Sequence, residues 1–208
     1  MIKVITSPEI YGVDENENEI RCFLAGGITN CHDWQSKVID ELIRLDKEEQ
    51  TMKNNIVKDY NLVIFNPRRE NFPINDPTAA RNQITWEFDN LEMMDIFSMY
   101  FCAGESDQPI CMYELGRNVA VLTALNDDPL DYICLSVENE YKRKQDVEIQ
   151  MELALGESYL LENGVVEPSD FINFGDEGDL EATHAFDIYS AYKHIILKDC
   201  MGIDFNED

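Results

Sequence analysis

Two glutamates stand where their side chains are able to do chemistry. Glu114 lies about one turn into an almost wholly apolar segment, residues 110–125. There only Glu114, Arg117, Asn118 and Thr123 clearly want water or polar partners. At about 100° per residue Glu114, Arg117 and Asn118 share one arc of a helix whose other sides read as buried. A carboxylate in such surroundings is costly unless it is paired or put to use. Near the start of a helix the dipole is expected to favour its ionised form. Glu87, in "ITWEFDNLEMMD", falls three residues after Ile84 and four before Leu91, so it flanks the apolar face of its own segment. An ionised carboxylate in a dry pocket suits nucleophilic attack at an anomeric carbon, and retaining glycosyl transfer needs a second acid–base group. Capping or ion pairing is the plainer explanation of two such glutamates, and Arg117 is the cation most able to neutralise Glu114.

Other residues carry the same double reading. Arg68 and Arg69 in "NPRR" either pair with nearby acids or offer a guanidinium fork to phosphate oxygens, which would favour a monophosphate. Trp34 and Trp86 have the spacing of core residues, although an indole also stacks on a base. His32 is a surface histidine or a carrier of protons. Tyr141 to Lys144, "YKRK", is the only concentrated positive charge. The six cysteines, Cys22, Cys31, Cys102, Cys111, Cys134 and Cys200, lie apart with no CxxC pair. They read as structural thiols, so neither a disulfide framework nor a metal is expected.

The elements that must position these residues alternate along the chain. "MIKVITS", "IRCFLAGG", "LVIFNP", "IFSMYFC" and "DYICLSV" read as strands. "VDENENE" after the first reads as a hairpin loop or an edge connection. "CHDWQSKVIDELIRL", with Asp33 as a candidate cap, "QITWEFDNLEMMD", the Glu114 segment after Pro109, "DVEIQMELALGE" and "LEATHAFDIYSAYKHIILK" read as helices. The last has apolar residues at Ala185, Ile188, Ala191 and Ile195, and an acidic loop, "EPSDFINFGDEGD", precedes it. Strands alternating with helices predict a parallel sheet covered on both faces, with ligands bound outside the carboxyl ends of its strands. The polar and unusual residues gather in the loops that follow those ends.

The order "FLAGG…DWQ", "NPRR", "Q-x-x-WE-x-x-x-L-x-x-x-D", "PI-x-x-x-ELGR" and "DV-x-IQ-x-EL", over about residues 20–155, resembles the nucleoside 2-deoxyribosyltransferase family in its broader deoxyribosyltransferase-like branch. The resemblance implies an α/β, flavodoxin-like doubly wound fold. Its five-stranded, mainly parallel sheet has helices on both faces, here followed by a C-terminal helical extension. It implies a nucleophile at Glu114 and a second acid at Glu87, since Asp95 fits the Asp that opens the next strand. The usual second acid is Asp, so Glu87 reaches about one bond further. Gly26, Gly27 and Ile28, with Gln35, would line a base pocket. The strand-end residues Asp33, Asn66, Arg68, Arg69, Asp107, Gln108 and Asp146 are further substrate-binding candidates. A neighbouring subunit commonly completes the pocket, so a homo-oligomer is implied, and no cofactor is. The chain also departs from the pattern. The carboxylate six residues before the nucleophile is replaced by Gln108, with Asp107 one further back, and the tail from about residue 157 has no counterpart. Because the family includes transferases and nucleotide hydrolases, the acceptor is a base or water.

Composition bounds these readings. The 208 residues, 44% apolar, suffice for one domain with a substantial core. A net charge of −26 opposes duplex binding and leaves solubility or DNA mimicry as the uses of such acidity. No apolar run approaches the roughly 18 residues of a membrane span, and the N-terminus does not read as a signal peptide, so a cytoplasmic protein is expected. The leading expectation is therefore cleavage or transfer of the N-glycosidic bond of a deoxynucleoside or its monophosphate. Its competitor is an inactive nucleotide-binding or DNA-mimicking inhibitory protein.

Overall fold

The structure is a computed structural model that describes residues 1–12, 18–73, 75–126, 128–160, 172–174 and 179–201, with backbone alone at 156–160, 174 and 201. Its strands are β1 (Ile2–Thr6), β2 (Asn18–Gly26), β3 (Tyr60–Asn66), β4 (Ile96–Phe101), β5 (Ile133–Val137) and β6 (Asn173–Phe174). Its helices are α1 (Trp34–Glu49), α2 (Ala79–Met93), α3 (Pro109–Leu125), α4 (Lys144–Leu160) and α5 (Leu180–Met201), with a 3-10 turn at Pro129–Tyr132. The strands form one sheet in the order β1-β3-β2-β4-β5-β6, and every neighbouring pair is parallel. Apart from the edge strand β1, this is the flavodoxin-like order.

β4 and β5 are buried at every position and β3 over its last five, as strands covered on both faces must be. α1 and α5 cover one face, where Trp34, Val38 and Leu42 meet Ile188, Tyr192 and Ile196. α2, α3 and α4 cover the other through Trp86, Leu91, Leu115, Val119, Val147 and Met151. α5 is thus more than an appendage, because it supplies half of one helical layer. Ala185, Ile188 and Ala191 are buried as its spacing predicts, while Ile195 is partly buried and Ile196 fully so.

Three sequence expectations change in detail. β1 and β2 do not form a hairpin, because β3 lies between them and pairs with both in parallel. The link between them is therefore an edge connection, of which residues 13–17 lie outside the described residues. β6 arises inside the stretch read as an acidic loop, where two residues pair with Ser136 and Val137. α2 begins four residues earlier than its apolar pattern, at Ala79.

Candidate active site

The strand order reverses between β2 and β4, and ligands of such sheets bind at that reversal. A cleft of about 320 Å³ lies there, lined by residues 25–29 at the end of β2 and just beyond it, by Pro67, by Glu87 on α2 and by the start of α3 through Glu114. The sequence allows this opening because of Gly26 and Gly27. Gly26 has φ +148°, and a Cβ there would sit 2.3 Å from the Tyr100 carbonyl oxygen and 2.7 Å from the Trp34 ring. A Cβ on Gly27 would sit 2.4 Å from Cys31 Sγ and 2.5 Å from Gln108 Oε1. Both glycines are therefore required by close approach, and Gly26 also by its backbone angle.

Glu114 and Glu87 both reach this cleft, each half-buried. Among the described residues no hydrogen bond or ion pair engages the Glu114 carboxylate. Arg117 does not neutralise it: the guanidinium pairs with Glu92 and lies 4.6 Å from the centre of the Phe88 ring, tying α3 to α2. Burial, and then the charge of Glu87, push Glu114 up to about 8. This reverses the expectation that the dipole keeps it ionised. Glu114 sits beyond the first turn, where desolvation outweighs the dipole. Burial also raises Glu87, but a hydrogen bond from Gln83 and the charge of Arg69 oppose the rise. Near neutral pH Glu114 therefore keeps its proton in a cleft that Glu87 also lines.

Glu87 is positioned by a chain of donors that the sequence did not reveal. Gln83 Nε2 donates to Glu87 Oε1 at 2.8 Å and to the Pro67 carbonyl at 2.9 Å. Ser7 Oγ donates to Gln83 Oε1 at 2.8 Å, and Arg69 Nε donates to Ser7 Oγ at 3.1 Å. Only the four-residue spacing of Gln83 and Glu87 on α2 hinted at this. Ser7 arrives from β1, 76 residues before Gln83.

The remaining candidates divide sharply. Gly26, Gly27, Ile28 and Gln108 line the cleft. Gln108 caps α3 with a left-handed backbone, and its amide is held by Cys102: Nε2 donates to the carbonyl at 2.7 Å and Oε1 accepts from the N–H at 3.4 Å. A carboxylate at that position could not donate to the carbonyl. Arg68 is committed as a staple. Nε donates to Gln35 Oε1 at 2.7 Å and Nη2 to the His32 carbonyl at 2.7 Å, with Asp33 at 3.3 Å. It holds the β2–α1 loop in place of gripping a phosphate. Gln35 is fully buried behind it, outside the cleft lining, and Asn66 Oδ1 accepts from the Arg68 N–H. Asp33 caps α1 through Ser36. Asp107 and Asp146 are exposed and pair with Lys142 and Arg143, which accounts for much of the basic patch. Trp34 and Trp86 are core residues, and their indoles donate to the carbonyls of Gly27 and Glu9.

Fold and cleft define the class: a doubly wound α/β protein with two acids at its topological switch point. A family model described as "Nucleoside 2-deoxyribosyltransferase like" matches residues 19–124, which is just over half of the chain. The chain belongs to that family. The matched span runs from β2 through α3 and holds both glutamates. No curated protein matches the chain. Among the described residues no helix is long and apolar enough to cross a membrane.

Proposed function

We propose that the chain, folded as one domain and acting in the cytoplasm, breaks the N-glycosidic bond of a 2′-deoxynucleoside through a covalent glycosyl–Glu114 ester. One observation carries this reading: Glu114 and Glu87 share a cleft in which no described lining residue is a cation, and burial raises both carboxyls. On substrate binding the proton of Glu114 moves to the leaving base through Glu87, which leaves the Glu114 carboxylate ionised for attack. The C1′–N bond breaks and the C1′–O bond to the Glu114 carboxylate forms. A second base or water then attacks C1′, its proton passes to Glu87, and the ester opens with Glu114 as leaving group. Such proton transfer contributes about 10² to 10⁴ in rate. Transfer and hydrolysis differ only in this second nucleophile.

A free nucleoside is favoured over its monophosphate, because Arg68 is occupied by carbonyl groups and the described cleft lining holds no guanidinium. Ile110 and Tyr113 on α3 and Ile84 and Phe88 on α2 are exposed large hydrophobics. They suit burial by a second copy of the chain, which supports a homo-oligomer assembled beside the cleft.

The test is incubation with each deoxynucleoside and each monophosphate, with and without a free base, followed by intact-mass analysis. Base release or exchange is expected, with a deoxyribosyl adduct on the wild-type chain and none on Glu114→Ala. Failure of every substrate would overturn the enzyme reading. Ligand binding without turnover in the wild-type chain itself, unchanged in Glu114→Ala, would favour a sequestering protein instead.

A further inference from the structure

Outside the cleft, three donor atoms of three kinds converge: His32 Nε2, Cys102 Sγ and a Glu138 carboxylate oxygen lie within 4.8 Å of one another. His32 belongs to the loop after β2, Cys102 directly follows β4, and Glu138 directly follows β5. The reaction proposed above uses none of them. We propose that these three side chains form a divalent-metal site of the kind zinc occupies, with its fourth position open toward Glu181.

The donor set and the distances carry the inference. A mixed nitrogen, sulfur and oxygen set suits zinc, whose bonds of about 2.0–2.3 Å place tetrahedral neighbours about 3.3–3.6 Å apart. His32 Nε2 is already 3.4 Å from Glu138 Oε1, so that edge has the required length. Cys102 Sγ has at most about 1.2–1.5 Å to close, and His32, on an exposed loop position, is the side chain able to move. The carboxylate is oriented as metal ligands usually are. Tyr100 O–H donates to Glu138 Oε1 at 3.1 Å, and Ala103 N–H donates to Oε2 at 2.5 Å.

Glu181 Oε1 lies 3.2 Å from the same His32 Nε2 and is held by Lys37 at 2.6 Å. A second cleft, about 510 Å³ and lined by Lys37, Tyr100, Glu138 and Glu181, opens beside the Glu138 ligand. Binding would release the Cys102 proton, since the thiolate is the ligand. The ion's two charges then meet those of the thiolate, Glu138 and Glu181, beside the Lys37 ammonium. The plainer use of His32, as a cation between two glutamates, gives no role to a thiol. Cys102 therefore distinguishes the two readings. A bound ion would tie the loop that supplies Gly27 and Ile28 to the ends of β4 and β5, and so fix one wall of the candidate active site.

The experiment is cobalt titration of the full-length, chelator-treated protein under reducing conditions. One equivalent should give an intense near-ultraviolet thiolate-to-cobalt band that zinc abolishes by displacement. Cys102→Ser should lose that band. His32→Ala, at an exposed position that leaves the fold intact, should weaken affinity at least tenfold while its circular dichroism stays unchanged. Absence of the band at saturating cobalt in the wild-type chain, or wild-type affinity in His32→Ala, would overturn the proposal whatever Cys102→Ser does.

Discussion

Burial and the Glu87 charge hold Glu114 protonated to about pH 8, far above the ordinary carboxyl range. In the window between that range and pH 8 the native chain keeps a proton that the unfolded chain has released. Stability from this residue is therefore present at low pH and lost as pH rises. Glu114→Gln, which cannot ionise, should be more stable than the wild type at pH 8.5 by at least about 1 kcal/mol, given about 1.4 kcal/mol per pKa unit. Near pH 4 the two should unfold alike in urea. The same proton sets a kinetic expectation. The kcat/KM for base release should fall on the alkaline side near pH 8, where the pair loses the proton its leaving group needs. Glu87→Gln removes the charge that helps raise Glu114, so its alkaline limb should shift to lower pH as kcat drops by about 10² or more. An unmoved limb would show that the Glu87 charge does not govern Glu114. Glu114 was legible in the sequence because a lone carboxylate in an apolar helix asks for an explanation. Its charge state was not, because desolvation depends on what covers it. Ser7 and Gln83 stayed hidden because their link to Glu87 exists only once the turn after β1 meets α2.

Two tertiary links between elements matter more than their residues suggest. His184 on α5 is fully buried between Ser98 on β4 and Ser136 on β5, with ring nitrogens 2.7 and 2.8 Å from the hydroxyl oxygens. Burial lowers it to about 3, so it stays neutral and bridges both strands as a hydrogen-bonding group. His184→Ala would strand the buried Ser98 hydroxyl, leave Ser136 with only the long bond from Asn173 and open a cavity, so a loss of about 3 kcal/mol or more is expected in denaturant unfolding. Arg68 plays the corresponding part for the β2–α1 loop. Arg68→Ala frees the carbonyls of that loop and should raise KM about tenfold or more with a smaller change in kcat, because it loosens the pocket wall and touches no reacting atom. A kcat loss at constant KM would instead place Arg68 in the chemistry. The main strands and helices could be read from apolar runs and 3.6-residue periodicity, which the sheet and its two helical layers obey. The two-residue β6 could not, since nothing so short has a period. Nor could the membership of α5 in the same layer as α1, because both helices carry an apolar stripe that fits either face.

At the scale of the whole molecule, a net charge of −26 surrounds a cleft whose described lining holds two carboxyls and no cation. The long-range field therefore opposes every anionic ligand, and short-range contacts among the described lining residues do not offset it. A neutral deoxynucleoside escapes this penalty and its monophosphate does not. At about 0.01 M ionic strength the Debye length is about 30 Å, so charges across the molecule act together; at about 0.15 M it falls to about 8 Å and only near neighbours count. The ratio of kcat/KM for nucleoside over monophosphate should thus exceed about tenfold in dilute buffer and shrink steadily as sodium chloride is added. The nucleoside's own value should change little. Steady-state assays on one base with both substrates, across a salt series, measure this directly. A preference for the monophosphate that salt weakens would require a cationic subsite beyond these lining residues. A second copy of the chain, if it covers the exposed hydrophobics of α2 and α3 as proposed above, would lie where it could supply one.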